Sequence, residues 1–240
     1  MEYPVRLQFA PVEDVILRRP ARMVTEEEMC SASFADFIRL MGRVVTGQQA
    51  MEGQSTMCMV GLAAPQVGVD ARVIAFNSVA ERGPSSDEAR RQIRIFVNPS
   101  IVVPPDTDIV MSHEGCFSAP PNCRAWRPRY SCVWLSGVEV TFPDGLDPGS
   151  SARFHSIVDE IVVGNPAIRV QHECDHLDGK RMLDDYCTDP PEQMGGLLYV
   201  PPDLMPDYRR FANATTSNAP PDSWLAFPQS ELDAWRSMLG

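Results

Sequence analysis

Asn165-Pro166-Ala167-Ile168-Arg169-Val170-Gln171-His172-Glu173-Cys174-Asp175-His176-Leu177-Asp178-Gly179 reads as one helix with both of its ends marked. Asn165 suits the N-cap, Pro166 the first helical position, and Gly179 the left-handed residue just past the C-terminus, so the spacing predicts about three to four turns. His172 and His176, four residues apart, share a face and can aim two imidazoles at one ion. Glu173 lies about 100° round from His172 and can reach a water at such an ion, whereas Cys174, about 200° away, turns inward as a packing residue. The bland alternative is a chance pair of histidines on a solvated or core face; the complete five-residue pattern favours metal. A hydrolytic site commonly takes three protein ligands. By chemistry alone His113, His155, Cys116, Cys123 and several carboxylates are candidates for the third, and spacing does not choose among them.

Outward from this helix the pattern is mixed. From Ser33 to Met51, Phe34, Phe37, Ile38, Met41 and Val45 recur at three- and four-residue steps, predicting an N-terminal amphipathic helix. Gly61 to Gly68 contains Pro65 and two glycines and is expected to form no regular element. Runs at Arg72 to Phe76, Ile93 to Val97, Cys132 to Phe142 and Phe154 to Val163, separated by turn-forming clusters, read as antiparallel strands and hairpins. The expected fold class is α+β, with antiparallel sheets packed around a central helix that carries the histidines. After Cys187 the composition shifts: eight of the 22 prolines fall in residues 188–240. This stretch is expected to be an appendage packed on a catalytic unit of residues 1–187, ending in a short helix capped by Ser230 with Leu232, Trp235 and Leu239 inward.

With 240 residues and 44% hydrophobic composition, the chain can bury a sizeable core. Its 32 acidic and 21 basic side chains leave a net charge of -11, which repels a phosphate backbone, and no basic cluster offsets it. Nucleic acid is therefore not an expected partner. Residues 1–30 hold no apolar run of signal-peptide or membrane-spanning length, and the seven cysteines are odd in number and scattered. A soluble cytoplasmic protein with reduced thiols, and no membrane partner, is expected.

Three motifs select a family. Gly61-Leu62-Ala63-Ala64-Pro65-Gln66, Glu114-Gly115-Cys116-Phe117-Ser118 and Gln171-His172-Glu173-Cys174-Asp175-His176-Leu177 resemble, in order and spacing, the signature motifs of peptide deformylases. An Asn98-Pro99 step before the second motif and Arg124 after it fit as well, and the resemblance covers roughly residues 5 to 187. It implies that Cys116, His172 and His176 hold one divalent metal ion, Fe(II) or Zn(II), with water in the fourth position. It further implies that Glu173 moves the proton and that the Gln66 amide and the Phe117 backbone N–H stabilise an oxyanion. Gly61, with Val60 and Met59 before it, would border the substrate. The implied activity is removal of an N-formyl group from a peptide or small formylated amine, releasing formate.

Two positions depart from the family pattern. Met59 stands where a further glycine is usual; it either narrows the mouth of the site or turns into the core. Arg169 stands where family members carry a small or apolar residue. It either reaches a structural carboxylate such as Asp159 or Glu160, or lines the pocket for the side chain next to the formyl group and binds an anion there. Two rival functions are a zinc peptidase, which shares the histidine-glutamate-histidine helix and needs no Cys116, and a non-catalytic binding module built on the same fold. The oligomeric state leaves no signature in the sequence.

Overall fold

The computed structural model describes residues 3–79, 92–119 and 125–182. Thr25 and Glu28 form a reciprocal capping box on a single turn, α1 (Glu26–Met29), and Ser31 caps the helix that follows, α2 (Ala32–Val45). All five residues of the apolar stripe, Phe34, Phe37, Ile38, Met41 and Val45, are buried. The helix stops at Val45, short of the Met51 expected from periodicity. The run Val44-Val45-Thr46 is β-branched and Gly47 takes a left-handed φ of 72°, so the chain leaves the helix there.

Five antiparallel strands form the main sheet in the order β1-β2-β3-β6-β7: β1 (Gly61–Ala63), β2 (Val73–Asn77), β3 (Ile93–Val102), β6 (Cys132–Thr141) and β7 (Arg153–Val163). A second, two-stranded antiparallel sheet pairs β4 (Ile109–Glu114) with β5 (Ala125–Tyr130). The α+β class with antiparallel sheets is thus observed. One expectation is corrected, and two strands are added that no expectation covered. Gly61–Val67 is regular after all: β1 leads into a 3-10 turn (Ala64–Val67), where Pro65 occupies the first turn and needs no N–H partner, and Gly68 (φ 74°) ends it. Strands β4 and β5 have no alternating apolar signature, because β5 buries Arg127 and Arg129 and tolerates Pro128 in a two-stranded sheet.

Strand β2 explains the layering. Val73 and Ala75 face one core with Phe34, Phe37, Ile38 and Met41 of α2, while Ile74 and Phe76 face a second core with Ala167, Val170, Cys174 and Leu177. The latter residues belong to the histidine helix, α3 (Asn165–Leu177). Helices α2 and α3 therefore cover opposite faces of the same strand, the period-2 alternation of β2 feeding both. The predicted ends of α3 hold to within one residue: Gly164 (φ 65°) is the cap, Asn165 opens the helix, and Gly179 (φ 74°) is left-handed after it. Cys174 packs in the core as expected. Among the described residues no helix is long and apolar enough to cross a membrane. The appendage of residues 188–240 with its Ser230-capped helix, as well as Cys123, Arg124 and Cys187, lies outside the described residues.

Asn98 ties the N-terminal segment to the sheet. It takes φ 51° at the irregularity where β3 shifts register against β6 between Val97 and Ser100. Its side-chain amide donates to Val24 O and accepts from Val24 N, both at 2.8 Å. Asparagine tolerates the left-handed region, and here its amide substitutes for a neighbouring strand. Asn98→Ala, which removes both bonds and strains the backbone, is expected to lower unfolding free energy by about 2 kcal/mol, read by chemical denaturation. An unchanged denaturation midpoint would show that this clamp does not stabilise the fold.

Candidate metal centre

Helix α3 is fixed in rotation before any ligand is considered. The Gln171 amide exchanges two bonds with the backbone of Tyr130, accepting from its N–H at 2.9 Å and donating to its carbonyl at 2.8 Å. This sets His172 and His176 toward the turn that follows β4, with ring centroids 5.1 Å apart. Cys116 sits on that turn, its Sγ 3.1 Å from His176 Nε2. The ligand atoms of Cys116, His172 and His176 all lie within 4.8 Å of one another. Donors bound tetrahedrally to one ion at zinc-like distances stand roughly 3.4–3.6 Å apart, so the three fit a shared ion with small adjustment. Of the other candidates for third ligand, His155 is exposed on β7 beside Thr141.

Glu114, at the end of β4, orients the first histidine. His172 Nδ1 lies 2.8 Å from Glu114 Oε2, which makes Nδ1 the donor and leaves Nε2 for an ion. The same carboxylate receives Arg129 Nε at 2.7 Å and Nη2 at 2.8 Å, and Arg129 Nη1 donates to Asp175 at 2.6 Å. Burial alone would push Glu114 toward neutrality; Arg129 and His172 more than reverse this and hold it well below the usual carboxylate range. Burial likewise opposes ionisation of Cys116, but His176 and His172 pull its thiol well below the ordinary value. The sulfur also accepts from Ser118 N at 3.3 Å and Gln66 Nε2 at 3.4 Å. A thiolate at this position is the form a metal ligand requires.

A cavity of about 160 Å³ opens beside Cys116 and His172, bordered by Val60, Gly61, Gln66, Phe117, Arg169 and Glu173 among others. Glu173 is buried, and that burial, partly offset by His172 and His176, pushes its carboxyl up to about 7. Its Oε2 is buried with no hydrogen-bond partner among the described residues. Gly61 faces it: a Cβ there would lie 2.1 Å from Glu173 Oε1, so only glycine leaves the carboxylate in place. Gln66 accepts from Ala63 N at 2.8 Å through Oε1, which fixes its rotamer and turns its amide nitrogen to the centre. The Phe117 N–H meets no acceptor among the described residues.

The two side chains that depart from the family pattern have distinct surroundings. Met59 is buried in the core shared with α2 and does not border the cavity, because its backbone N–H bonds Val45 O at 2.8 Å and draws the residue toward that helix. Arg169 is buried in the cavity wall but does not reach Asp159 or Glu160. Its Nη1 donates to Asn77 O at 2.9 Å and Val79 O at 2.6 Å, while Glu160 pairs with Arg94 and Asp159 meets Ser136. Sequence reasoning did not single out Glu114 as an orienting group, Arg129 and Asp175 behind it, or Ser112, Asn165 and Ile168 in the cavity wall. For Asn165 and Ile168 a signal existed, since they lie seven and four residues before His172 on the same helical face. For Arg129 only the pairing of β4 with β5 supplies it.

The polypeptide deformylase family model matches residues 7–144, a stretch that holds the Gly61–Gln66 motif and Cys116 but ends before α3. Peptide deformylase 2 of Pseudomonas putida is 34% identical over 122 residues, covering 50% of this chain and 59% of its own. Peptide deformylase 1 of Streptomyces coelicolor is 38% identical over 132 residues, covering 52% of each. The chain thus spans between half and two thirds of the length of these curated relatives. The class I type b peptide deformylase of Acinetobacter baumannii, solved with Met-Ala-Ser bound, is 25% identical with a TM-score of 0.54, over 76% of this chain and all of that one. The Plasmodium falciparum enzyme, solved with an inhibitor, shares the fold at 23% identity and TM-score 0.54, over 86% of this chain and 99% of its own. The matched sequence, the shared fold and a cysteine-histidine-histidine group in position to hold a metal agree: the chain belongs to the polypeptide deformylase family.

Proposed function

We propose that this protein hydrolyses the amide of an N-formyl peptide or small formylated amine, releasing formate and a free amine. The observation that carries the reading is the convergence of Cys116, His172 and His176 on one point, with Glu173 in the wall of the adjoining cavity and its Oε2 without a hydrogen-bond partner among the described residues. Those three residues would hold one divalent ion, Fe(II) or Zn(II). When bound, it supplies the charge that acidifies water and polarises the formyl carbonyl. Glu173 takes the proton from the attacking water and delivers it to the amine nitrogen as the C–N bond breaks. The Gln66 amide and Phe117 N–H donate to the formyl oxygen as negative charge gathers on it, and Gly61 leaves space for the formyl group. Val60 borders the substrate at the rim, half exposed, and Arg169 gives the pocket for the first side chain a positively charged wall.

In this reading residues 1–187 form the catalytic unit, with α3 as its central element, and residues 188–240 are an appendage on it. The protein works in the cytoplasm on a formylated peptide or a small formylated amine. A zinc peptidase is less well supported, because that reading gives Cys116 no role, yet its sulfur lies 3.1 Å from His176.

Three outcomes are expected. Cys116→Ala should lose stoichiometric metal, measured by elemental analysis of anaerobically prepared protein, and formate release with it; full metal retention would favour the peptidase. Gly61→Ala should displace Glu173 and lower kcat about a hundredfold at unchanged metal content; an unaltered kcat would detach Glu173 from the reaction. Arg169→Ala should shift the kcat/KM ratio of formyl-Asp to formyl-Met peptides about tenfold toward formyl-Met. If the ratio is the same with and without the guanidinium, Arg169 does not read the substrate.

A further inference from the structure

The N-terminal segment touches both groups proposed to receive the formyl oxygen. Ala10 N donates to the carbonyl of Gln66 at 2.8 Å. One residue earlier, the ring of Phe9 lies on that of Phe117, with centroids 4.9 Å apart and planes 13° from parallel. This segment is itself anchored. Leu7 is buried in the α2-side core, its carbonyl accepts from Glu52 N at 2.8 Å, and the Val12 carbonyl accepts from Arg181 at 3.0 Å. Phe117, by contrast, sits on a short turn and is 45% exposed as a residue. The turn itself is closed by a 3.2 Å bond from Ala119 N to Cys116 O, and by Ser118 N on the Cys116 sulfur. The first bond is accepted by the carbonyl of the peptide unit that carries the Phe117 N–H, so it orients that N–H within the turn. The aromatic contact ties this turn, and the Phe117 N–H with it, to the anchored N-terminal segment.

We propose that Phe9 is a positioning residue that holds the Phe117 N–H, while its neighbour Ala10 holds Gln66, so that the N-terminal segment aligns the two oxyanion donors with each other. The proposal rests on the formyl-hydrolysis reading. Donors of this kind act through placement, and a displacement of about 1 Å can cost up to a hundredfold in rate. Phe9 does not touch the reacting atoms in this account; it acts through Phe117.

The test uses the full-length, metal-loaded protein with Phe9→Ala, Phe9→Tyr, Phe117→Ala and the Phe9→Ala/Phe117→Ala pair, assayed on formyl-Met-Ala-Ser. Phe9→Ala should lower kcat about tenfold with KM and metal content unchanged, and Phe9→Tyr, which keeps the stack, should restore it. The double variant should be no slower than Phe117→Ala, because both changes remove one coupling. A rise in KM at constant kcat would overturn the proposal and make the ring a substrate contact. A tenfold loss that Phe9→Tyr does not restore, or that tracks metal loss, would overturn it as well. Amide hydrogen exchange gives a readout free of activity: in Phe9→Ala the Ala119 amide, which closes the turn on the Cys116 carbonyl, should exchange at least tenfold faster while the amides of α3 keep their rates. Unchanged exchange at Ala119 overturns the proposal. Absence of formate release from the unsubstituted protein would reject the formyl-hydrolysis reading, and the exchange rates would then still decide whether Phe9 holds Phe117.

Discussion

The hydrogen bond between His172 Nδ1 and Glu114 Oε2 joins parts of the chain that are distant in sequence, and the centre is built around it. A carboxylate with a side chain only 6% exposed cannot stay ionised without compensation, so it requires Arg129, equally buried, against it. Arg129 in turn holds Asp175, three residues beyond His172 on the same helix. The outcome is a closed set of charges running from β4 through β5 to α3. It contributes alignment more than stability, because desolvating the ions costs about as much as their attraction returns. With Nδ1 committed to Glu114, the ring of His172 presents Nε2 toward Cys116 and His176.

Layering brings the rest into place. Because β2 is buried on both faces, α2 and α3 are held at fixed separations from one strand, and β1, next to β2, carries Gly61 to within contact of Glu173. The 3-10 turn after β1 then sets Gln66 beside Cys116. A short edge strand, one tight turn and a single helix thus meet at the cavity, the strand and turn resting on the α2-side core through Leu62, Ala64 and Val67 and the helix on the other. Catalytic geometry of this sort needs rigid support on every side, since small displacements of donors or bases are costly in rate.

Several features were readable in advance. The His172 and His176 spacing, the packing role of Cys174, the stripe on α2 and four of the strands follow from periodicity and from capping or turn residues, which act locally. The three motifs named Cys116, Gln66 and Gly61 by resemblance, although chemistry alone left several candidates for third ligand. The missing strands β4 and β5 were illegible for a physical reason: their inward positions carry charge. Arginines satisfied by carboxylates from elsewhere look, in a sequence, like a solvated loop.

Met59 and Arg169 mark the same boundary. Sequence could say that each was out of pattern, but the direction in which a side chain turns depends on what lies beside it. The backbone bond from Met59 to Val45 and the bonds from Arg169 to the carbonyls of Asn77 and Val79 are contacts across the fold. What the sequence by itself determined were the local elements, the ligand types and the family, since these reside in spacing along the chain. Tertiary structure alone decided that Glu114 orients His172, that Gly61 faces Glu173 and that Phe9 meets Phe117, because each pairs groups more than fifty residues apart whose encounter is set by packing.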